Sequence, residues 1–180
     1  MAKKKSGGSQ NPIVFHDYES FIKKFAENPK TTDECWTPND VYEAVVQYVG
    51  EIYDLRDKVI LRPFYPGGDF EHYPYPEGCI VVDNPPFSIF AKITKHYLAH
   101  GTRFFLFAPS LTLIGSTNGC CAVAAGVDVT YENGAVVNTS FATNMDTARI
   151  RSAPSLYRAV ENANDENLKA ARKQLPKYAY

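Results

Sequence analysis

The sequence lacks the marks of several protein classes. No stretch approaches the roughly 18 to 20 continuous apolar residues that a membrane helix requires. The basic start at Lys3-Lys4-Lys5 is not followed by the apolar stretch of a secretion signal. The formal net charge is only −1, which argues against a protein that coats a polyanion with its whole surface. We therefore expect a cytoplasmic protein without a membrane contact, whose contacts with nucleic acid are local.

The cysteines lack the spacing of a metal site. Cys35, Cys79, Cys120 and Cys121 form no CxxC pair and no metal-type pattern with histidine. The adjacent Cys120 and Cys121 could not easily form a disulfide with each other. We expect free, mostly buried thiols and no bound metal.

The length and the residue pattern indicate one domain. A chain of 180 residues can bury a substantial core, and a second domain of ordinary size would hardly fit. We predict a flexible basic tail over residues 1–12 and a single domain over residues 13–180. Apolar periodicity and turn residues predict helices over residues 17–28, 37–50, 87–100, 120–126 and 154–174, strands over residues 58–64, 78–82 and 103–109, and a hairpin over residues 127–142. In the second helix, Thr37 is expected at the N-cap and Pro38 in the first turn.

The order of these elements predicts an α/β fold. The strands over residues 78–82 and 103–109 are apolar throughout, and a helix joins them, which is typical of a parallel sheet covered on both faces. Asn133-Gly134, between two alternating segments, is a strong hairpin signal. We expect parallel strands followed by a C-terminal antiparallel hairpin.

The strand over residues 78–82 ends in a run that cannot continue it, Asp83-Asn84-Pro85-Pro86-Phe87. In parallel α/β sheets, ligands bind beyond the carboxyl ends of the strands, so loops 62–70, 83–88 and 109–119 should share one edge. The two prolines remove two backbone donors, which leaves carbonyl groups as the polar groups of the loop. A tight turn of Asx and proline type after an edge strand would explain the same residues without a function.

The side chains of this loop suit an aminated base. Asn84 and a proline carbonyl can each accept one N–H of an exocyclic amine, and Phe87 offers a face for a planar heterocycle. The amine of adenine is a poor nucleophile, because its lone pair is delocalised into the ring. Two acceptors that hold its hydrogens out of plane would free that pair to attack a methyl sulfonium. Such an amine lies inside a duplex, so the base would have to be flipped out.

Four stretches resemble one enzyme family. Asn84-Pro85-Pro86-Phe87 matches the (D/N/S)-P-P-(Y/F/W) motif of N6-adenine DNA methyltransferases, and NPPFS is similar to the form in EcoRI-type and phage-borne members. CWTPNDVYEAV resembles the Thr-Pro helix start beside the cofactor, VILRPFYPGGDF resembles a variant of the first glycine-rich turn, and VNTSFATNMD resembles the late hairpin segment of the phage proteins. The resemblance covers about residues 35 to 150.

The resemblance implies a reduced Rossmann-like methyltransferase sheet, with S-adenosylmethionine as cofactor and DNA as partner, single-stranded or with a flipped base. It also implies the host cell cytoplasm as location, if a phage encodes the chain, and a role in restriction-modification or in counter-defence. The implied catalytic residues are Asn84, Pro85, Pro86 and Phe87. The residues implied to meet the cofactor are Thr37, Pro63, Phe64, Gly67, Gly68, Asp69 and Asp83.

The chain departs from this family in the cofactor half. Arg62 stands where the family has an acid that helps hold the methyl donor. Only residues 66–82 separate the turn from the catalytic strand, where the family has two further strands, one ending in the acid that binds the ribose hydroxyls. Asp69 or Glu71 could substitute for that acid, or could be solvated turn residues.

These departures leave an alternative of another class. A methyltransferase-like fold without its cofactor half could be a catalytically inactive phage counter-defence protein, of the anti-CRISPR or anti-restriction type, that binds nucleic acid or a nuclease. The segment after the hairpin is too short for an ordinary target-recognition domain. A homodimer or a partner subunit could therefore supply the missing part.

Overall fold

The described part of the chain alternates between helices and strands. The computed structural model describes residues 36–64, 69–116 and 118–174, so the predicted tail over residues 1–12 and the predicted helix over residues 17–28 lie outside it. In chain order the elements are helix α1 (Asn39–Ile52), strands β1 (Ile60–Leu61) and β2 (Ile80–Asp83), a 3-10 helix (Phe87–Ile89) that leads into helix α2 (Phe90–His100), strand β3 (Arg103–Pro109), helix α3 (Ser110–Ser116), strands β4 (Cys121–Thr130), β5 (Val136–Thr143) and β6 (Ile150–Ser152), and helix α4 (Pro154–Gln174).

One mixed sheet joins these strands in the order β1-β2-β3-β5-β4-β6. β1, β2 and β3 are parallel, β5 is antiparallel to both of its neighbours, and β6 is parallel to β4. The predicted α/β class, its parallel strands and its antiparallel hairpin are therefore confirmed. The carboxyl ends of β1 to β4 meet at one edge of the sheet, here called the carboxyl edge, and the opposite edge is the amino edge. The carboxyl edge carries residues 62–64, 83–89, 110–116 and 131–135.

The two faces of the sheet pack against different helices. Side chains of the strands point alternately to the two faces, because successive residues of a strand face opposite ways. On one face, Val82, Phe105 and Phe141 pack with residues of α1 and α4. On the other face, Val81 and Phe104 pack with residues of α2 and α3. β2 and β3 are thus apolar on both faces, as their sequences predicted.

The central aromatic residues are fully buried. Phe105 has no exposed surface, and its ring stacks on that of Phe141 with 5.3 Å between the ring centroids. Tyr48 of α1 contacts Phe105 at a centroid distance of 6.2 Å, which attaches the helix to the sheet. Burial of one such side chain contributes about 1.5 to 3 kcal/mol. The carboxyl edge is therefore built on a rigid base.

The prediction of a helix over residues 120–126 is wrong. Residues Cys121 to Thr130 form β4, which lies between β5 and β6. Ala favours helices, and the pairing with β5 overrides this propensity. The register shifts between Val123 and Val127, where Gly126 has a φ of 70°. Ser140 Oγ accepts the N–H groups of Ala125 and Gly126 at this irregularity.

The other elements follow the prediction with adjusted bounds. The first strand is shorter than expected, because only Ile60 and Leu61 pair with β2. α2 ends at Gly101, whose φ of 66° is the left-handed conformation that favours glycine. The hairpin turns at Asn133 and Gly134 as predicted, and α4 covers the expected residues. The three-residue strand β6 was not predicted.

The described part of the chain contains neither a membrane-spanning helix nor a disulfide. None of the helices in the described part of the chain combines the length and the apolar composition of a bilayer span. Cys79, Cys120 and Cys121 are buried free thiols, as expected, and Cys35 lies outside the described residues. Burial raises the pKa of the Cys120 thiol to about 11, so this thiol is protonated at neutral pH.

Candidate functional site

Asp83 joins the two loops at the carboxyl ends of β1 and β2. Its Oδ2 accepts the N–H of Phe64 at 2.9 Å, and its Oδ1 accepts the N–H of Asn84 at the same distance. The Nε of Arg62 donates to Oδ1 at 3.4 Å. The expected meeting of the loop after β1 with the loop after β2 is therefore confirmed, and one carboxylate connects them.

The charged form of Asp83 is disfavoured, because the carboxyl group is buried. Only 3% of the residue is exposed. Burial raises the pKa of its carboxyl to about 6, and the two N–H donors and Arg62 lower it by less. Both oxygens are used inside the protein, so Asp83 fixes the loops and has little capacity left for a ligand.

Arg62 lies between Asp83 and helix α1. Its guanidinium carbon is 3.7 Å from the centroid of the Tyr42 ring, a cation–π contact. Burial raises the pKa of Tyr42 to about 12, although the charge of Arg62 opposes the shift. Among residues 36–64, 69–116 and 118–174, neither terminal nitrogen of Arg62 has a hydrogen-bond acceptor. Sequence reasoning noted Arg62 only as a departure from a family pattern and missed Tyr42.

The proline loop, residues 84–87, leaves β2 at the carboxyl edge as predicted. Pro85 is buried, and Asn84, Pro86 and Phe87 are half-buried. The carbonyl of Pro86 accepts the N–H of Ile89 at 3.3 Å and so starts the 3-10 helix. Within the described ranges the Phe87 ring stacks on no other aromatic ring. The loop thus places the partly exposed Phe87 and the buried side-chain oxygen of Asn84 next to a firm turn.

Thr37 has a different place from the one predicted. Pro38 is the N-cap of α1, and no side chain caps this helix, so the expected N-cap role of Thr37 is wrong. Thr37 is 4% exposed, and its hydroxyl has no hydrogen-bond partner in the part of the chain that the structure describes. The carbonyl of Trp36 accepts the N–H of Glu132 at 3.1 Å, which places the start of α1 beside the hairpin turn at the carboxyl edge.

The remaining predicted cofactor residues are Pro63, Phe64, Gly67, Gly68 and Asp69. Gly67 and Gly68 lie outside the described residues. Pro63 is buried, and the Phe64 ring packs on Phe70 and Tyr97 in the core, with ring centroids 6.0 and 6.4 Å away.

Asp69 is exposed and takes part in its own turn. Its carboxylate accepts the N–H of Glu71 at 3.0 Å and contacts His72 Nδ1 at 2.5 Å. The hydrogen bond from His72 lowers the pKa of Asp69. Glu71, the other candidate for the missing acid, pairs with Lys92 at 2.8 Å. Both carboxylates therefore already have local partners.

A cavity that sequence reasoning did not predict lies at the amino edge. Its volume is about 470 Å³, and its lining includes Tyr73, Tyr75, Cys79, His96 and His100. Among the described residues, Glu71, a candidate for the missing acid, lines it, whereas none of the implied catalytic residues does. Residues 73–76 read YPYP, and Tyr73, Tyr75 and Pro76 of this stretch line the cavity.

The carboxyl edge therefore brings Arg62, Phe64, Asp83 and the proline loop together around one buried carboxylate. Comparison with protein-family models, with curated proteins and with solved structures found no match to this chain. In the described ranges, no cluster of three or more His, Cys, Asp and Glu residues could hold a metal ion.

Proposed function

We propose that the chain is a DNA N6-adenine methyltransferase, which transfers a methyl group from S-adenosylmethionine to the exocyclic amine of a flipped adenine. The observation that carries this proposal is the position of the proline loop. It leaves the buried strand β2 at the carboxyl edge, where Asp83 hydrogen-bonds both Asn84 and the turn after β1. This anchoring fixes the loop relative to the sheet, and catalysis depends on such fixed geometry. The parallel strands and the reversed strand β5 suit a Rossmann-like methyltransferase sheet.

In this proposal the amine is held by two acceptors. The side-chain carbonyl of Asn84 accepts one N–H, and the carbonyl of Pro85 accepts the other. The carbonyl of Pro86 is less suited, because it already accepts the N–H of Ile89. With both hydrogens held, the lone pair of the amine is directed toward the methyl group. The N–C bond would form as the S–C bond of the sulfonium breaks, S-adenosylhomocysteine would leave, and the methylated amine would release one proton to water.

Phe87 is the proposed platform for the flipped base. A base that leaves the duplex loses its stacking, and an aromatic side chain offsets part of that loss. Phe87 is half-buried, so its ring is held in place while one part of it stays accessible. Stacking of a base on such a ring is worth about 1 to 3 kcal/mol.

The residues of the edge fit the cofactor in part. The buried hydroxyl of Thr37 has no partner within the described residues, and a polar group of a ligand would satisfy it. S-adenosylmethionine would supply a methyl group activated by a sulfonium, and Thr37 with the turn around Pro63 and Phe64 would hold this cofactor. Asp83 would shape that turn through its hydrogen bond to Phe64 and would not itself bind the cofactor.

The test is transfer of label from S-adenosylmethionine to adenine-containing oligonucleotides. Asn84→Ala should lower the transfer rate by about 100- to 1,000-fold, because one preorganised acceptor is lost. Asn84→Asp is the matched control: it keeps an acceptor, and the family motif admits Asp at this position, so a measurable rate should remain. Absence of transfer by the unmodified chain, or equal rates for the unmodified chain and Asn84→Ala, would refute the proposal.

A second candidate, the inactive counter-defence protein, is favoured by one observation. The guanidinium of Arg62 lies on the turn that would face the cationic sulfonium, and like charges repel. Calorimetric titration with S-adenosylmethionine separates the two candidates. Binding at micromolar cofactor supports the enzyme, whereas no binding up to millimolar cofactor, with DNA present, supports the binding protein.

A further inference from the structure

Arg62 is held in one orientation at the carboxyl edge. The face of its guanidinium rests on the Tyr42 ring at 3.7 Å, and its Nε points to Asp83. Two contacts from different elements thus fix the planar group. Its side chain is nevertheless 36% exposed, so a ligand can reach it.

The terminal nitrogens of Arg62 are the donors left to a ligand. Neither of them donates a hydrogen bond within residues 36–64, 69–116 and 118–174. Asp83 is a poor acceptor for them, because its oxygens already receive the N–H groups of Phe64 and Asn84. A partly buried guanidinium with open donors and a fixed plane is preorganised for an anion.

The open donors lie close to the proposed amine site. The same Oδ1 atom of Asp83 accepts from Arg62 Nε and from the N–H of Asn84. An anion bound to Arg62 would therefore lie near the start of the proline loop. A planar fork of N–H groups matches a group with paired oxygen atoms, which means a carboxylate or a phosphate.

We infer that Arg62 forms an anion-binding site for paired oxygen atoms at the carboxyl edge. This inference rests on the proposed function, which offers two sources of the anion: the carboxylate of the methyl donor, and a phosphate of the DNA. The carboxylate is at the far end of the methionine chain from the sulfonium, so Arg62 can bind it without facing the sulfonium directly. With an arginine in place of the acid, this turn would hold the carboxylate end of the methyl donor.

The first experiment tests the carboxylate. Two probes are titrated by calorimetry: S-adenosylhomocysteine, which carries the carboxylate, and 5′-methylthioadenosine, which lacks it. The unmodified chain should bind the first probe at least about 10-fold more tightly, since a charge-assisted bidentate pair is lost with the second. Arg62→Gln should abolish this preference. Arg56→Gln removes the same charge from an arginine that pairs with Asp54, and it should keep the preference.

The second experiment tests the phosphate. The affinity for an adenine-containing duplex is measured against salt concentration. If Arg62 binds a phosphate, Arg62→Gln should reduce the slope of log K against log salt by about one, and Arg56→Gln should not. Circular dichroism checks that each variant folds. If Arg62→Gln does not fold, Arg62→Met replaces it, because Met keeps an apolar stem and lacks both the charge and the fork.

The outcomes separate this inference from the proposed function. If Arg62 and Arg56 variants behave alike in both experiments while the unmodified chain transfers methyl groups, the anion site is refuted and the enzyme stands. If no adenosine probe binds and no methyl group is transferred, but the salt slope falls only for Arg62→Gln, the enzyme is refuted and the anion site stands for phosphate.

Discussion

The two edges of the sheet each carry an arginine–aspartate pair, and the two pairs differ in how completely the arginine is used. At the amino edge, Arg151 donates from all three of its nitrogens, to Asp146 at 2.5 Å and to two tyrosine hydroxyls. At the carboxyl edge, Arg62 donates to Asp83 from Nε alone, at 3.4 Å. The same residue types therefore have different roles at the two edges.

The amino-edge pair is a closed network. The hydroxyls of Tyr48 and Tyr53 accept from Arg151 at 2.6 and 3.1 Å, and Tyr53 donates to Asp146 at 2.8 Å. Burial lowers the pKa of Arg151, but its hydrogen bonds raise it by more, so the group stays charged. The network ties α1 to the segment before β6. A saturated arginine of this kind stabilises the fold, whereas an unsaturated one such as Arg62 leaves donors for a ligand.

The largest effect should come from Arg151→Met. This change removes all three donors of the arginine and leaves the charge of Asp146, whose side chain is 19% exposed, with the hydroxyl of Tyr53 but no cation. The free energy of unfolding should fall by about 3 to 4 kcal/mol. Arg62→Met is the matched variant and should cost only about 1 kcal/mol, because Asp83 keeps the N–H donors of Phe64 and Asn84 and loses only one long hydrogen bond, while Tyr42 loses a cation–π contact. Urea unfolding of both variants measures the difference, and equal losses would contradict the comparison.

The pH dependence of stability should reveal how incompletely Arg62 compensates Asp83. The pKa of Asp83 is raised from 3.8 to about 6 in the folded protein. Between pH 4 and pH 6 the Asp83 carboxyl is therefore mostly ionised in the unfolded chain and still mostly protonated in the folded protein. The free energy of unfolding falls as the pH rises through that window. The loss should reach about 3 kcal/mol above pH 6.

Asp83→Asn provides the reference for this measurement, since an amide does not titrate. The difference in unfolding free energy between the unmodified chain and this variant should change with pH only between about pH 4 and pH 6. Parallel stability curves over that range would mean that Arg62 and the N–H donors fully compensate the carboxylate. The two arginine–aspartate pairs would then not differ in how completely the aspartate is compensated.

The sequence was sufficient to locate the proline loop, because local signals determine it. An apolar strand before residues 83–87 and an amphipathic helix after them leave few alternatives for where the loop lies. The contact of Arg62 with Tyr42 was not predictable in this way. It depends on how α1 packs over the end of β1, which involves residues twenty positions apart and no local pattern.

The errors in the fold have the same origin. Cys121 to Thr130 becomes a strand because β5 and β6 offer hydrogen-bond partners on both sides, not because small residues favour strands. The N-cap role of Thr37 failed because Pro38 takes that position and the hydroxyl is buried away from the helix amides. Where tertiary contacts decide, propensity gives a weak prediction.

The smallest effect should come from Leu111→Ser at the carboxyl edge. Leu111 is the second residue of α3 and is 96% exposed, so its side chain contributes almost nothing to the core. The free energy of unfolding should change by less than about 0.5 kcal/mol. Leu113 of the same helix is 2% exposed, and Leu113→Ser should cost about 3 kcal/mol, because a buried apolar side chain is replaced by a polar one. Urea unfolding of the two variants measures both values. A loss above about 1 kcal/mol for Leu111→Ser would mean that the Leu111 side chain packs against the carboxyl edge, contrary to its exposure.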